Sequence, residues 1–167
     1  MSYVLGILIF VLFAWYLSFS ASRLDRLHHR VETSWEHLDA LLQRRAALAL
    51  EISHATDLDP ATNFILTEAA YVSREESITD RNDAEQTLAS SLDFLHQAAE
   101  NGEIDIELSL LEELTNLTKK ITIAITIHLE AVTSVERMRS RFICKFFRLA
   151  GRAQLPTRYS FEEDALK

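Results

Sequence analysis

From Tyr3 to Ser22 the chain carries no charged side chain and is dense in Leu, Ile, Phe and Val. At about 1.5 Å of rise per residue, roughly twenty such residues cross a hydrocarbon core of about 30 Å as a helix. The competing reading is a cleaved signal peptide, for which Ser18-Phe19-Ser20 offers a small-x-small site. Against cleavage, no base precedes the apolar run and the run exceeds a usual signal core. Trp15 and Tyr16 also sit near its far end, where aromatic rings favour the headgroup layer. The expectation is a retained anchor over residues 1–22.

The flanks orient it. Arg23, Arg26 and Arg30 follow the span at once, while only Met1 and Ser2 precede it. Positive charge stays on the cytoplasmic side, so the N-terminus is expected outside and the rest of the chain in the cytoplasm of a single-pass cell-membrane protein. A lone cysteine, Cys144, fits a reducing compartment and excludes an internal disulfide or a Cys-based zinc cage. A net charge of −8 argues against a nucleic-acid partner, and three glycines leave no Gly-rich phosphate loop.

After Gly6 the only Gly or Pro residues are Pro60, Gly102, Gly151 and Pro156, which mark boundaries. Between them apolar residues recur in steps of three and four. The first series is Leu24, Leu27, Val31, Ser34 with Trp35, Leu38, Leu41 with Leu42, Arg45, Leu48 and Ile52. It forms a heptad-like seam on a helix continuing the anchor without interruption. Asp59-Pro60 reads as an N-cap followed by Pro at the first helical position. A second helix is predicted over 60–77, burying Phe64, Ile65, Ala69 and Val72, and a third over 80–101 along Ala84, Leu88, Leu92, Leu95 and Ala99. The last series runs Leu110, Leu114, Leu117, Ile121, Ala124, His128, Ala131, Val135, Met138, Phe142, Lys145 and Leu149. Inside it, Ile121 to Ile127 alternates with period two and is β-branched, as a strand would be. A strand there would lack a partner and turn residues, so helix is expected.

Charge is segregated along the chain. Residues 57–105 carry twelve acids and two bases, whereas residues 137–161 carry seven bases and no acid. An up-and-down connection of an even number of helices returns the last one to the membrane. There each base gains about 1 kcal/mol from an anionic leaflet. The basic stretch, interleaved with Phe142, Ile143, Phe146 and Phe147, therefore predicts four helices rather than three long ones, the second and third running together. The competing account is that these bases complement the negative end of their own helix and acids on its neighbours.

The segments Leu27 to Leu48 (LHHRVETSWEHLDALLQRRAAL), Asp83 to Leu92 (DAEQTLASSL) and His128 to Val132 (HLEAV), behind an N-terminal anchor, resemble the LemA family. The likeness runs over essentially the whole chain. Phe147 to Pro156 (FRLAGRAQLP) with Phe161-Glu162-Glu163-Asp164 is similar to the tail of LemA-like membrane proteins of actinobacteria. The resemblance implies a bacterial, anchored, antiparallel four-helix bundle, largely cytoplasmic, with no established enzymatic activity or cofactor. Two positions depart from the family pattern. Ala49-Leu50-Glu51 stands where relatives often break the helix with Pro, and Ile127-His128-Leu129 lacks the Asn common after the aromatic-His or aromatic-Tyr pair.

Candidate sites are few. Three acid-x-x-His pairs occur (Asp25 with His28, Glu51 with His54, Asp93 with His96). Di-iron bundles use two Glu-x-x-His pairs plus two further Glu, all projecting inward. Here only one pair has Glu, and the latter two flank their seams, so no metal ligand is assigned. Arg45 and His128 fall on the seams as core polar residues that fix register; a ligand pocket between helices is the alternative. Asp39, Glu51 and Glu130 are the carboxylates expected to partner Arg45. Cys144 reads as a small apolar contact rather than an acylation site, and no nucleophilic triad is legible.

The expectation is thus an all-α chain: an anchor over 1–22, an antiparallel up-and-down four-helix bundle over 23–152 and a tail over 153–167. Its expected role is a non-enzymatic interaction or scaffold module without a cofactor. Arg23, Arg26, Arg30, Arg137, Arg139, Arg141, Lys145, Arg148 and Arg152 are expected to face lipid. The bilayer is its first partner, other membrane or cytoplasmic proteins its candidate further ones, and self-association is open. A metal- or ligand-binding bundle and a sensor of anionic membranes are the alternatives.

Overall fold

The computed structural model describes residues 2–75 and 81–140. It is all-α, with four helices: α1 (Ser2–Ala55), α2 (Pro60–Glu75), α3 (Arg81–Glu100) and α4 (Leu108–Arg139). No strand occurs among the described residues. The strand-like Ile121 to Ile127 is helical, with Ile121, Ala124 and Ile125 buried and Ile123 and Ile127 exposed. Its threonines fit the helix because Thr122 and Thr126 donate their hydroxyls to the carbonyls of Thr118 and Thr122 at 3.1 and 2.9 Å.

Local chemistry accounts for the helix ends. Asp59 Oδ1 accepts from the backbone N–H of Ala61 and Thr62 at 3.0 and 3.1 Å, capping α2 with Pro60 inside its first turn. The Thr62 side-chain hydroxyl foremost, then these backbone bonds, hold the Asp59 carboxyl below its usual range. α3 ends in a Schellman motif around Gly102, whose φ of 75° lies in the left-handed region. Gly102 donates to the carbonyl of Ala99 and Glu103 to that of Ala98.

The residues group into two units, the first drawing on 2–35 and 127–140 and the second on 36–75 and 81–126. In the first unit the large apolar side chains from Tyr3 to Phe13, with Trp15, Tyr16 and Phe19, are 44–88% exposed. This is the one stretch among the described residues long and apolar enough to cross a membrane. Immediately beyond it, buried Leu24 packs with Met138 and half-buried Leu27, and Ser34 meets His128. That pairing order makes α1 and α4 antiparallel and returns the end of α4 to the apolar stretch.

The second unit holds most of the buried leucines, among them Leu38, Leu42, Leu48, Leu66, Leu88 and Leu95. Each contributes about 1.5–3 kcal/mol by leaving water. α2 and α3 are separate helices lying side by side. The buried face of α2 differs from expectation. Leu66, Ala69, Ala70 and Ser73 are inside, Val72 is half-buried, and Phe64 and Ile65 are exposed. α1 is tied to α2 by Asn63 Nδ2 donating to the Ser53 carbonyl at 2.9 Å. It is tied to α4 by Arg44, which donates Nε and Nη2 to Glu113 Oε1 at 3.0 and 2.6 Å. The hydrogen bond to Glu113, and then its charge, raise the Arg44 pKa further.

Candidate functional site

In the first unit, the contact between Leu24 and Met138 gathers bases next to the apolar stretch. Arg23 and Arg26 flank Leu24 on α1, and Arg137 and Arg139 flank Met138 on α4. Asp25 and Glu136 are the acids interspersed with them. Arg23, Arg26 and Arg137 are exposed, and Arg139 is half-buried. Arg26 Nε donates to the Ser22 carbonyl at 3.4 Å. Arg30 is exposed, and its Nη2 lies 3.9 Å from Glu130 Oε1. Both side chains are more than half exposed, so that pair is weak. Arg141, Lys145, Arg148 and Arg152, with Cys144 and the last seam positions, lie outside the described residues.

His128 is buried on α4, as its seam position predicts. Its Nδ1 is 3.0 Å from Ser34 Oγ, and its ring is tilted against Trp35 at 5.6 Å. Ser34 Oγ also lies 2.8 Å from the Val31 carbonyl, which can only accept. The one hydroxyl hydrogen therefore goes to Val31, and His128 donates from Nδ1. Burial lowers the His128 pKa, because the charged imidazolium loses hydration.

Arg45 occupies its seam position in the second unit, with a partner other than the three carboxylates expected. Its Nη2 donates to Glu85 Oε2 at 2.5 Å, and the two side chains are 10% and 0% exposed. The other oxygen, Glu85 Oε1, accepts from Ser73 Oγ at 2.9 Å. One buried carboxylate thus joins α1, α2 and α3. Both of its oxygens are engaged, one by Arg45 and one by Ser73. Arg45 Nε is buried without a partner. Beside this pair lies a cleft of about 520 Å³ between α3 and α4, lined by Ser90, His96, Thr118, Lys119 and Thr122 among others. Its hydroxyls are already committed: Ser90, Thr118 and Thr122 donate to carbonyls one turn back in their own helices.

Glu85 carried a signal that the expected register passed over. Ala84 fits the apolar series, yet Glu85, Leu88, Leu92, Leu95 and Ala99 alternate three and four without exception, as the last helix does. Ser73 likewise follows Leu66 and Ala70 at steps of four and three.

The acid-x-x-His pairs lie apart from any common site. Asp25, Glu51, His54 and Asp93 are exposed, His28 and His96 half-buried, and His96 Nε2 sits 3.4 Å from Glu100 Oε1. Among the described residues no three His, Cys, Asp or Glu side chains gather as a metal site. No protein-family model, curated protein or solved structure matches this chain.

Proposed function

We propose that the chain is a single-pass membrane protein of the bacterial LemA type. In this reading residues 3–22 cross the bilayer and the following helices form an antiparallel four-helix bundle in the cytoplasm. Its role is that of a non-enzymatic interaction module held at the membrane surface. The observation that supports this best is the juxtaposition within the first unit of a largely exposed apolar helix surface with the bases around Leu24 and Met138. An apolar surface of that extent is stable in lipid rather than water. The bases beside it suit an anionic inner leaflet.

Cys144, the only cysteine, gives a direct test. A membrane-impermeant maleimide added to intact cells should leave Cys144 unlabelled, and the same reagent should label it after lysis. Labelling in intact cells would place that end of the chain outside and refute the orientation. Cross-linking in cells followed by mass spectrometry then identifies what the bundle holds.

The same cluster of bases supports a second reading, a sensor of anionic lipid. Reconstituted in phosphatidylglycerol nanodiscs, the full chain should melt higher than in phosphatidylcholine. An Arg137→Gln, Arg139→Gln variant should lose most of that difference, since each base near an anionic surface contributes about 1 kcal/mol. An unchanged difference removes the sensor reading.

A further inference from the structure

The outer side of the α2–α3 pair combines two properties that one partner chemistry satisfies. Phe64, Ile65 and Phe94 are exposed there to 68%, 54% and 58%. They border a groove of about 730 Å³ lined by Ile65, Thr87 and Phe94, adjoined by one of about 460 Å³ lined by Phe64, Glu68 and Val72. Ile65, Asp83 and Thr87 line both, so the two adjoin along the helix pair. Their walls are acidic: Glu68 and Asp83 are exposed on them. The sequence from 57 to 105 contributes twelve acids against two bases.

An exposed apolar groove of this kind marks a contact surface. Its charge selects the occupant. An anionic leaflet would be repelled, and a neutral apolar partner would leave the acids unpaired or desolvated. A helix with basic side chains on one flank and apolar ones on the other fills the groove and pairs with its walls, the helix-in-groove mode of recognition.

We propose that the α2–α3 groove docks a basic amphipathic helix of a partner protein. The inference rests on the reading of the chain as an interaction module and names the chemistry of what it binds.

The test uses the full chain in phosphatidylcholine nanodiscs and a fluorescein-labelled helical peptide of Lys and Leu, read by anisotropy. A matched Glu and Leu peptide and empty nanodiscs are the controls. The basic peptide should bind saturably and the acidic one should not. A Phe64→Ser, Phe94→Ser variant should weaken binding at least tenfold, and so should Glu68→Lys, Asp83→Lys. All four side chains are exposed, so circular dichroism should show the helices intact. Ile123→Ser, at an exposed apolar position on α4, should bind as the parent does. Equal binding by the groove variants, or by the acidic peptide, overturns the proposal. If Cys144 is protected in intact cells yet no basic peptide binds, the docking inference fails and the anchored reading stands. If Cys144 is labelled from outside while the groove binds the peptide, the reverse holds.

Discussion

Replacing Arg45 by Met tests whether one buried ion pair sets the packing of α1 against α2 and α3. The substitution removes the guanidinium from a carboxylate that is 0% exposed and leaves the Ser73 hydroxyl bond in place. Breaking a buried ion pair by removing one partner costs about 3–5 kcal/mol, because the remaining charge stays desolvated. At roughly 3–4 °C per kcal/mol for a helical domain of this size, the melting temperature should fall by about 10–20 °C. Glu85→Met alone should cost a similar amount by stranding Arg45. The double variant should return to within about 1 kcal/mol of the parent or exceed it, because packed apolar side chains replace a buried pair without desolvating charge. Ser73 can then turn its hydroxyl to the carbonyl one turn back. Thermal melts of the full chain in nanodiscs, followed at the helical circular-dichroism band, measure all four corners of the cycle. Single variants that melt within a few degrees of the parent, with no coupling between them, would refute the claim that this pair organises the interior.

Further outcomes follow from the local geometry. His128 has a pKa lowered by burial, so the unfolded chain takes up its proton first as pH falls. Stability should drop as pH falls through the ordinary histidine value toward the lower folded one, and level off below it; His128→Phe should flatten that slope in pH-dependent melts. Asp59→Ala should lower the melting temperature by uncapping α2, whereas Asp59→Asn should keep most of it. Asp59's contribution should vanish in acid as its carboxyl, held low in the folded state, takes a proton. Leu88→Ala, at a fully buried position, should cost about 2–5 kcal/mol in chemical denaturation.

The long periodic stretches were legible because each residue in them votes for the same helix. Every seam position from Leu110 to Met138 is buried, and the uninterrupted α1 follows from the absence of any Gly or Pro between Gly6 and Pro60. α2 is rotated by about one residue from its expected buried face. The bulk of Phe64 and Ile65 outweighed Ala69, Ala70 and Ser73, yet tight helix contact selects small side chains and left the large ones on the groove. Periodicity put Arg45 and His128 inside, but sequence alone could not name their partners. Glu85 is forty positions from Arg45, and Ser34 is ninety-four from His128; such pairings are decided by the helices' mutual register. The partner of Arg45 sits on α3, neither near it in sequence nor on the first or last helix.

The alternation from Ile121 to Ile127 has a consequence once α4 melts. In the native chain its β-branched side chains are divided between the interior and the helix surface. Released from the helix, the same seven residues form an uncharged, proline-free segment of high sheet propensity, the composition that seeds cross-β stacking. Lys119, Lys120 and Glu130 lie close on either side as gatekeepers. Heating should therefore end in aggregation rather than reversible unfolding, so endurance in the cell would depend on how seldom this helix opens.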